Sequence, residues 1–225
     1  MTPELHLVTA DPAEEGPFSA GTPLPRRLPP GRHGIPANLV VEHQRRRLLA
    51  AMAEALAEHG YANITTGHVS DAAGVSSSTF YKHFGNLWDC VLAAYVVSAD
   101  RLCEEVEVAC AASAPHSDPL MVGIDAGLSF LSAEPALAQL LSAQAPLEAS
   151  AIAAARRILI SRLAAMLRRG RGAEDGSLQP PGLDERLIDA TLAFVSARIA
   201  AGEAGRLAEL GPELTAILDR PQRAA

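Results

Sequence analysis

Apolar side chains recur every three or four residues along most of this chain, and the places where that rhythm fails mark the ends of its helices. Over residues 38–59, Leu48, Leu49, Met52, Ala55 and Leu56 fall on one helical face, with Asn38 placed to cap the start and Gly60 to stop it. Residues 65–84 then read as two short helices, with Tyr61 and Ile64 expected to pack beneath them. The Thr65 hydroxyl can cap the first, Gly74 ends it in a left-handed turn, Val75 plugs the gap, and Ser76 caps a second helix reaching about His83. Val75, Phe80 and Phe84 supply its buried side. Gly85-Asn86 breaks the chain again, and Asn86 can cap a long helix to about Ala112, with Leu87, Val91, Leu92, Tyr95, Val96, Leu102, Val106 and Cys110 on its apolar side. A loop around Pro115 precedes helices expected near 118–132, 134–143, 146–170, 184–203 and 206–219. Pro119, Pro135 and Pro146 each suit a first helical turn, where a missing N–H costs nothing. Residues 171–183 form the clearest internal loop. No strand pattern and no repeat interrupts this, so the fold class is all-α.

Two short helices joined by so tight a glycine turn form a helix-turn-helix, whose second helix can enter the DNA major groove. After Val75, Phe80 and Phe84 are assigned to the core, Ser77, Ser78, Thr79, Tyr81, Lys82 and His83 remain, and every one can hydrogen-bond to phosphate oxygens or base edges. The alternative is a solvated helix of an ordinary helical protein. Residues 37–85 are thus expected to carry the DNA contact, and residues 86–225 to form a second helical region. The long helix from residue 86 would lie in both and couple them. Between residues 184 and 219, Leu187, Ile188, Thr191, Leu192, Phe194, Val195, Ile199 and Leu207 exceed what one amphipathic face needs. A homodimer interface through Leu187, Thr191, Phe194, Val195 and Ile199 is the expectation. Tyr95, Met121, Phe130 and Met166, large side chains on the central helices, are candidates for an effector pocket or for ordinary core; a pocket of such material would favour a small apolar or aromatic molecule.

Composition adjusts this picture. Residues 1–36 are rich in Pro, Gly and charge, and read as a disordered arm. Its basic end, with Arg26, Arg27 and Arg32, could enter a minor groove or remain a solvated tail. Arg45, Arg46 and Arg47 surround one helical turn, so at most two face one partner; Arg45 is the candidate for a phosphate, and a solvated face is the alternative. The net charge of −7 is unevenly spread: residues 20–100 hold seven basic and six acidic groups, and residues 101–225 hold twelve and sixteen. Phosphate attraction needs positive groups only where DNA touches. No run approaches the roughly 20 apolar residues of a membrane span, and Met1-Thr2-Pro3-Glu4 lacks the basic start of a signal peptide, so a cytoplasmic location without membrane partners is expected. Cys90, Cys103 and Cys110 are an odd set without metal-ligand clustering, read as small core residues or, in the sharper reading, redox-sensitive thiols. The seven histidines offer no pair at metal-ligand spacing, and Ser76-Ser77-Ser78 lacks the Gly-x-Ser-x-Gly setting of an exposed nucleophile. Neither a metal, a cofactor nor an enzyme is expected.

The stretch from Gly60-Tyr61 through Val69-Ser70-Asp71-Ala72-Ala73-Gly74-Val75-Ser76-Ser77-Ser78-Thr79-Phe80-Tyr81-Lys82-His83-Phe84 resembles the amino-terminal DNA-binding domain of the TetR family of transcriptional regulators. Gly31-Arg32-His33-Gly34-Ile35-Pro36 resembles an arm that precedes that domain in some members. The resemblance implies an all-helical homodimer, with a three-helix DNA-binding domain over residues 37–85 and a domain for effector binding and dimerisation over residues 86–225, acting on a near-palindromic, double-stranded DNA operator and released from it by a small-molecule effector. By position it implies that Ser77 and Ser78 face bases from the helix begun by Ser76. Thr79, Tyr81 and His83 would contact phosphates, Thr65 or Thr66 the DNA backbone, and Lys82 either. The chain departs from the family where a lysine-glutamate pair is usual and Leu87-Trp88 stands, where an alanine is usual and Ser70 stands, and where an aspartate is common and His68 stands. The missing lysine commonly reaches a phosphate, which leaves a helical adaptor with weakened DNA binding as the alternative.

Overall fold

The computed structural model describes residues 37–114, 117–142, 150–170 and 182–218. Among these the chain forms α1 (Ala37–Asn63), α2 (Thr66–Ala73), α3 (Ser77–His83), α4 (Leu87–Ala112), α5 (Pro119–Ala133), α6 (Pro135–Ser142), α7 (Ser150–Gly170) and α8 (Leu183–Ala200). A 3-10 helix (Ala204–Leu210) and α9 (Gly211–Leu218) complete the described elements. Arg32 and the rest of the arm, Pro115, Pro146 and most of the 171–183 loop lie outside the described residues.

The punctuation residues behave as their chemistry dictates. Gly60 takes φ +70° and breaks the helical path of α1 before its last three residues. The Thr65 hydroxyl accepts from the His68 N–H at 3.2 Å, the Ser76 hydroxyl from the Thr79 N–H at 3.1 Å, and the Asn86 amide oxygen from the Asp89 N–H at 3.0 Å. The Asn86 amide also donates to the Asp89 carboxylate at 3.0 Å, so the start of α4 is closed reciprocally. Pro135 cannot continue α5, and α6 leaves it at a bend of 117°.

Four details of the sequence reading need correction. Asn38 does not cap α1; it sits exposed inside the first turn, which begins at Ala37. The single helix expected over 206–219 divides, because Pro212 offers no N–H and its ring crowds the carbonyl four residues back. Residues 204–210 therefore tighten into the 3-10 helix. Val96 is exposed, not part of the apolar side of α4. Tyr61 stands away from the helix-turn-helix: its ring stacks on Trp88 with centroids 6.1 Å apart, and its hydroxyl reaches the Leu140 carbonyl at 3.5 Å.

One continuous apolar core runs from Leu48 in α1 to Leu214 in α9. Helix α4 is its spine, packing on α1 near its start and on α5 and α7 further along. Asp100 meets Arg162 at 2.5 Å and Glu107 meets Arg169 at 3.8 Å. Both pairs join positions 62 residues apart, so α4 and α7 run parallel in fixed register. No single helix among the described residues is long and apolar enough to cross a membrane.

Candidate nucleic-acid interface and effector cavity

The turn between α2 and α3 is held by its backbone. Gly74 adopts φ +60°, its N–H donates to the carbonyl of Asp71 at 3.0 Å, and the Val75 N–H to that of Ser70 at 2.9 Å. These bonds satisfy the last carbonyls of α2 while the chain reverses. Arg47 adds a clasp that the sequence reading missed. Its guanidinium donates to the Ala73 carbonyl, and lies 3.4 Å from that of Gly74, so a cation closes the negative end of α2. The signal available in the sequence was that three consecutive arginines cannot share a face, and one of them must turn inward.

Helix α3 divides cleanly. Phe80 is fully buried and Phe84 nearly so, whereas Ser76, Ser77, Ser78, Tyr81 and Lys82 are exposed, Tyr81 by 56%. Thr79 and His83 are half-buried at the edges. Ser76 is engaged as a cap and hydrogen-bonds the Ser78 and Thr79 hydroxyls, each at 2.9 Å. Thr65 is exposed and Thr66 half-buried at the start of α2. The structure thus gathers Thr65, Thr66 and the α3 residues around one turn.

The cations near this face are only partly available. Arg45 lies 4.6 Å over the Phe84 ring and donates to the His83 carbonyl at 3.4 Å, pinning the end of α3 to α1. Arg46 pairs with Glu42 at 2.7 Å. His83 Nε2 lies 3.2 Å from the Gln44 amide oxygen. Burial, then the Arg45 and Lys82 charges, holds the His83 pKa below the usual imidazole value, favouring the neutral ring. Lys82 is the exposed cation on the outward side of α3.

A second feature lies among α4, α5, α7 and α8: a cavity of about 50 Å³. Its walls include Leu102, Val106, Leu163, Leu167, Ile188 and Val195, and the Thr191 hydroxyl, which already donates to the Leu187 carbonyl at 2.9 Å, is its only side-chain polar group. None of Tyr95, Met121, Phe130 and Met166 is among its lining residues. Large side chains fill space; the void persists where Gly123 and Gly127 face aliphatic neighbours. Of the residues expected at a dimer interface, Thr191 and Val195 line this cavity, Val195 buried and Thr191 half-buried. Leu187, Phe194 and Ile199 remain half-buried, with the Arg198 guanidinium 5.0 Å over the Phe194 ring. The thiols are poor redox candidates. Cys90 and Cys103 are buried, and burial raises all three pKa values, that of Cys90 to about 12, so little thiolate forms.

Residues 48–94 match the sequence model of the bacterial regulatory proteins of the tetR family. A search of curated proteins by sequence finds no match. Among solved structures, the fatty acid degradation regulator FadR from Bacillus halodurans superposes with a TM-score of 0.68 at 18% identity, over 78% of this chain and 94% of that one. FadR from Bacillus subtilis, solved in complex with stearoyl-CoA, gives 0.62 at 19% identity over 76% and 96%. A putative tetR family transcription regulator from Shewanella sp. PV-4 gives 0.59 at 18% identity over 77% and 95%. At these identities the likeness is one of fold.

Proposed function

We propose that this chain, whose residues 48–94 belong to the TetR family of bacterial regulatory proteins, is a sequence-specific transcriptional repressor released from DNA by a small apolar effector. The observation that carries the reading is the outward face of α3. Ser77, Ser78, Tyr81 and Lys82 are exposed on a helix whose other side is buried and whose entry is fixed by Gly74 and Arg47. A rigid polar helix of that kind can place two hydroxyls at base edges while Tyr81, Thr79 and Lys82 set its register on phosphates. A homodimer would present two such helices about 34 Å apart to a near-palindromic operator in the cytoplasm.

Release would start in the cavity. An engineered apolar cavity of about 150 Å³ takes benzene, so one of about 50 Å³ admits an effector only if its helices part. That requirement supplies the differential affinity a switch needs, because the effector binds only the parted arrangement. Helix α4 touches both the cavity and α1, so parting shifts α3 and changes the spacing of the pair. The largely aliphatic walls suit an alkyl chain, which agrees with the stearoyl-CoA in the Bacillus subtilis FadR structure.

The second reading, an adaptor with weakened DNA binding, has Leu87-Trp88 in its favour: Leu87 is half-buried and Trp88 is occupied with Tyr61, so the α4 start offers no side-chain cation to a phosphate. A mobility-shift titration against the DNA upstream of the chain's own gene separates the two. Tyr81→Phe is expected to weaken binding to all sequences, and Ser78→Ala to change which sequence is preferred. Unchanged affinity and preference in both variants would remove α3 as the reading helix.

A further inference from the structure

Among the buried side-chain atoms left without a hydrogen-bond partner in the described residues are the Tyr95 hydroxyl and one nitrogen of the half-buried Arg156 guanidinium. Tyr95 is 1% exposed, and its hydroxyl has no partner. The Arg156 guanidinium donates to Asp189 at 2.9 Å through Nη2, but its Nη1 is buried and unsatisfied. A buried polar group whose hydrogen bond is left unmade destabilises the fold, so such groups are normally paired. Their positions are related. The Asp100–Arg162 and Glu107–Arg169 pairs fix α4 and α7 in parallel register with an offset of 62, which sets Tyr95 level with Arg157 and so within one residue of Arg156. The Arg156 charge acts on the Tyr95 hydroxyl, and burial keeps that phenol protonated with its pKa at about 12, so it is a donor.

The same register connects this pair to the cavity. Leu102 and Val106 follow Tyr95 by seven and eleven positions, and Leu163 and Leu167 follow Arg156 by the same intervals; all four line the cavity. Residues seven and eleven apart share a helical face. The two donors therefore stand on the stripes that form the cavity walls. They lie about 10 Å from its nearer wall and about 16 Å from its further one, on the side of the DNA-binding domain.

We infer that Tyr95 and Arg156 form a clamp for the carbonyl or carboxylate oxygen of an acyl effector, whose alkyl chain of roughly a dozen carbons runs between α4 and α7 into the aliphatic cavity. This rests on the reading that an effector parts these helices. It adds what the cavity alone lacks, a polar end that fixes the ligand's direction and distinguishes an acyl group from a plain hydrocarbon. The free fatty acid and its coenzyme A thioester present the same acceptor.

The test uses the full chain, with the fluorescence of its one tryptophan, Trp88, as the binding signal and operator release followed in parallel. Dodecanoate, dodecanoyl-CoA, coenzyme A alone and dodecyltrimethylammonium, whose head cannot accept a hydrogen bond, are the probes. Wild type is expected to bind one or both acyl probes, the choice between them naming the natural source, and neither of the others comparably. Tyr95→Phe keeps the ring and its packing, removes an unbonded hydroxyl, and should weaken acyl binding roughly tenfold without lowering the melting temperature of the ligand-free chain. Arg156→Gln should do at least as much. Acyl affinity unchanged in both variants, equal affinity for the ammonium probe, or no acyl binding by wild type would overturn the clamp. Acyl binding that is lost in Tyr95→Phe but never moves operator affinity would keep the clamp and sink the effector reading. Release by a non-acyl compound alone would do the reverse.

Discussion

Gly74 is the position where one residue's backbone decides whether the proposed DNA-reading surface can form. Its φ of +60° lies where a Cβ is crowded, and a Cβ built there would come within 2.8 Å of Arg47 Nη2. Gly74→Ala is therefore expected to cost about 1–2 kcal/mol from the left-handed conformation. It should also push the Arg47 guanidinium off the Ala73 carbonyl. Urea denaturation would show the stability loss, and operator affinity should fall further than that loss predicts, because the α2–α3 angle is loosened even in molecules that remain folded. If affinity per folded molecule is unchanged, Arg47 does not set that angle. The glycine and the three caps at Thr65, Ser76 and Asn86 were legible in the sequence because each acts on backbone groups within a few residues. Arg47 was not, since its partner lies 26 residues away and only the folded turn brings the Ala73 carbonyl to it.

The helices as elements raise a different question, what each gains or loses by its placement. Helix α3 ends at His83, whose ring lies 3.2 Å from Gln44 and whose pKa is lowered, first by burial and then by Arg45 and Lys82. A depressed folded-state pKa means that the unfolded chain binds the proton more readily. The contribution is present above pH 6.5 and is lost as pH falls through the folded-state value. The urea midpoint of wild type should thus fall more steeply below pH 6.5 than that of His83→Gln, and parallel profiles would show that His83 titrates as it does in the unfolded chain. Helix α5 carries the opposite compromise. A Cβ on Gly127 would meet only Leu102 at 3.7 Å and Val106 at 3.9 Å, ordinary contacts, so Gly127→Ala should stabilise the chain by roughly 0.5–1 kcal/mol through helix propensity alone. It also fills part of the cavity wall. A higher melting temperature with a blunted effector response is the expected pair of outcomes, and an unblunted response would mean that the effector does not enter between α4 and α5. Periodicity found these helices because an amphipathic face repeats locally. It could not find the void between them, whose walls come from four elements and whose existence depends on two glycines that read as defects in α5.

For the whole molecule, the question is how a short polar face gains enough affinity to hold an operator. Each α3 presents few cations: Arg46 and Arg47 are committed within α1 and to α2, and Arg45 is shared with Phe84 and His83. A lone domain would be a weak ligand for DNA. Joining two through α8, as proposed, would make the second contact intramolecular and raise affinity by a factor on the order of a hundred or more without any new contact to a base. The sequence indicated that α8 carries surplus apolar residues but not which of them are covered within the chain; in the structure Thr191 and Val195 line the cavity, and Leu187, Phe194 and Ile199 are half-buried apolar residues outside its lining. Replacing Phe194 and Ile199 by glutamate places two charges where a second copy would have to exclude water. Sedimentation of the double variant should show a monomer with unchanged helicity, and its affinity for the full operator should collapse towards that of wild type for a half-site. A variant that stays dimeric would move the interface off this face of α8. A monomer that still binds the full operator as wild type does would mean that the paired recognition helices, and with them the spacing that an effector is proposed to alter, are not how this chain grips DNA.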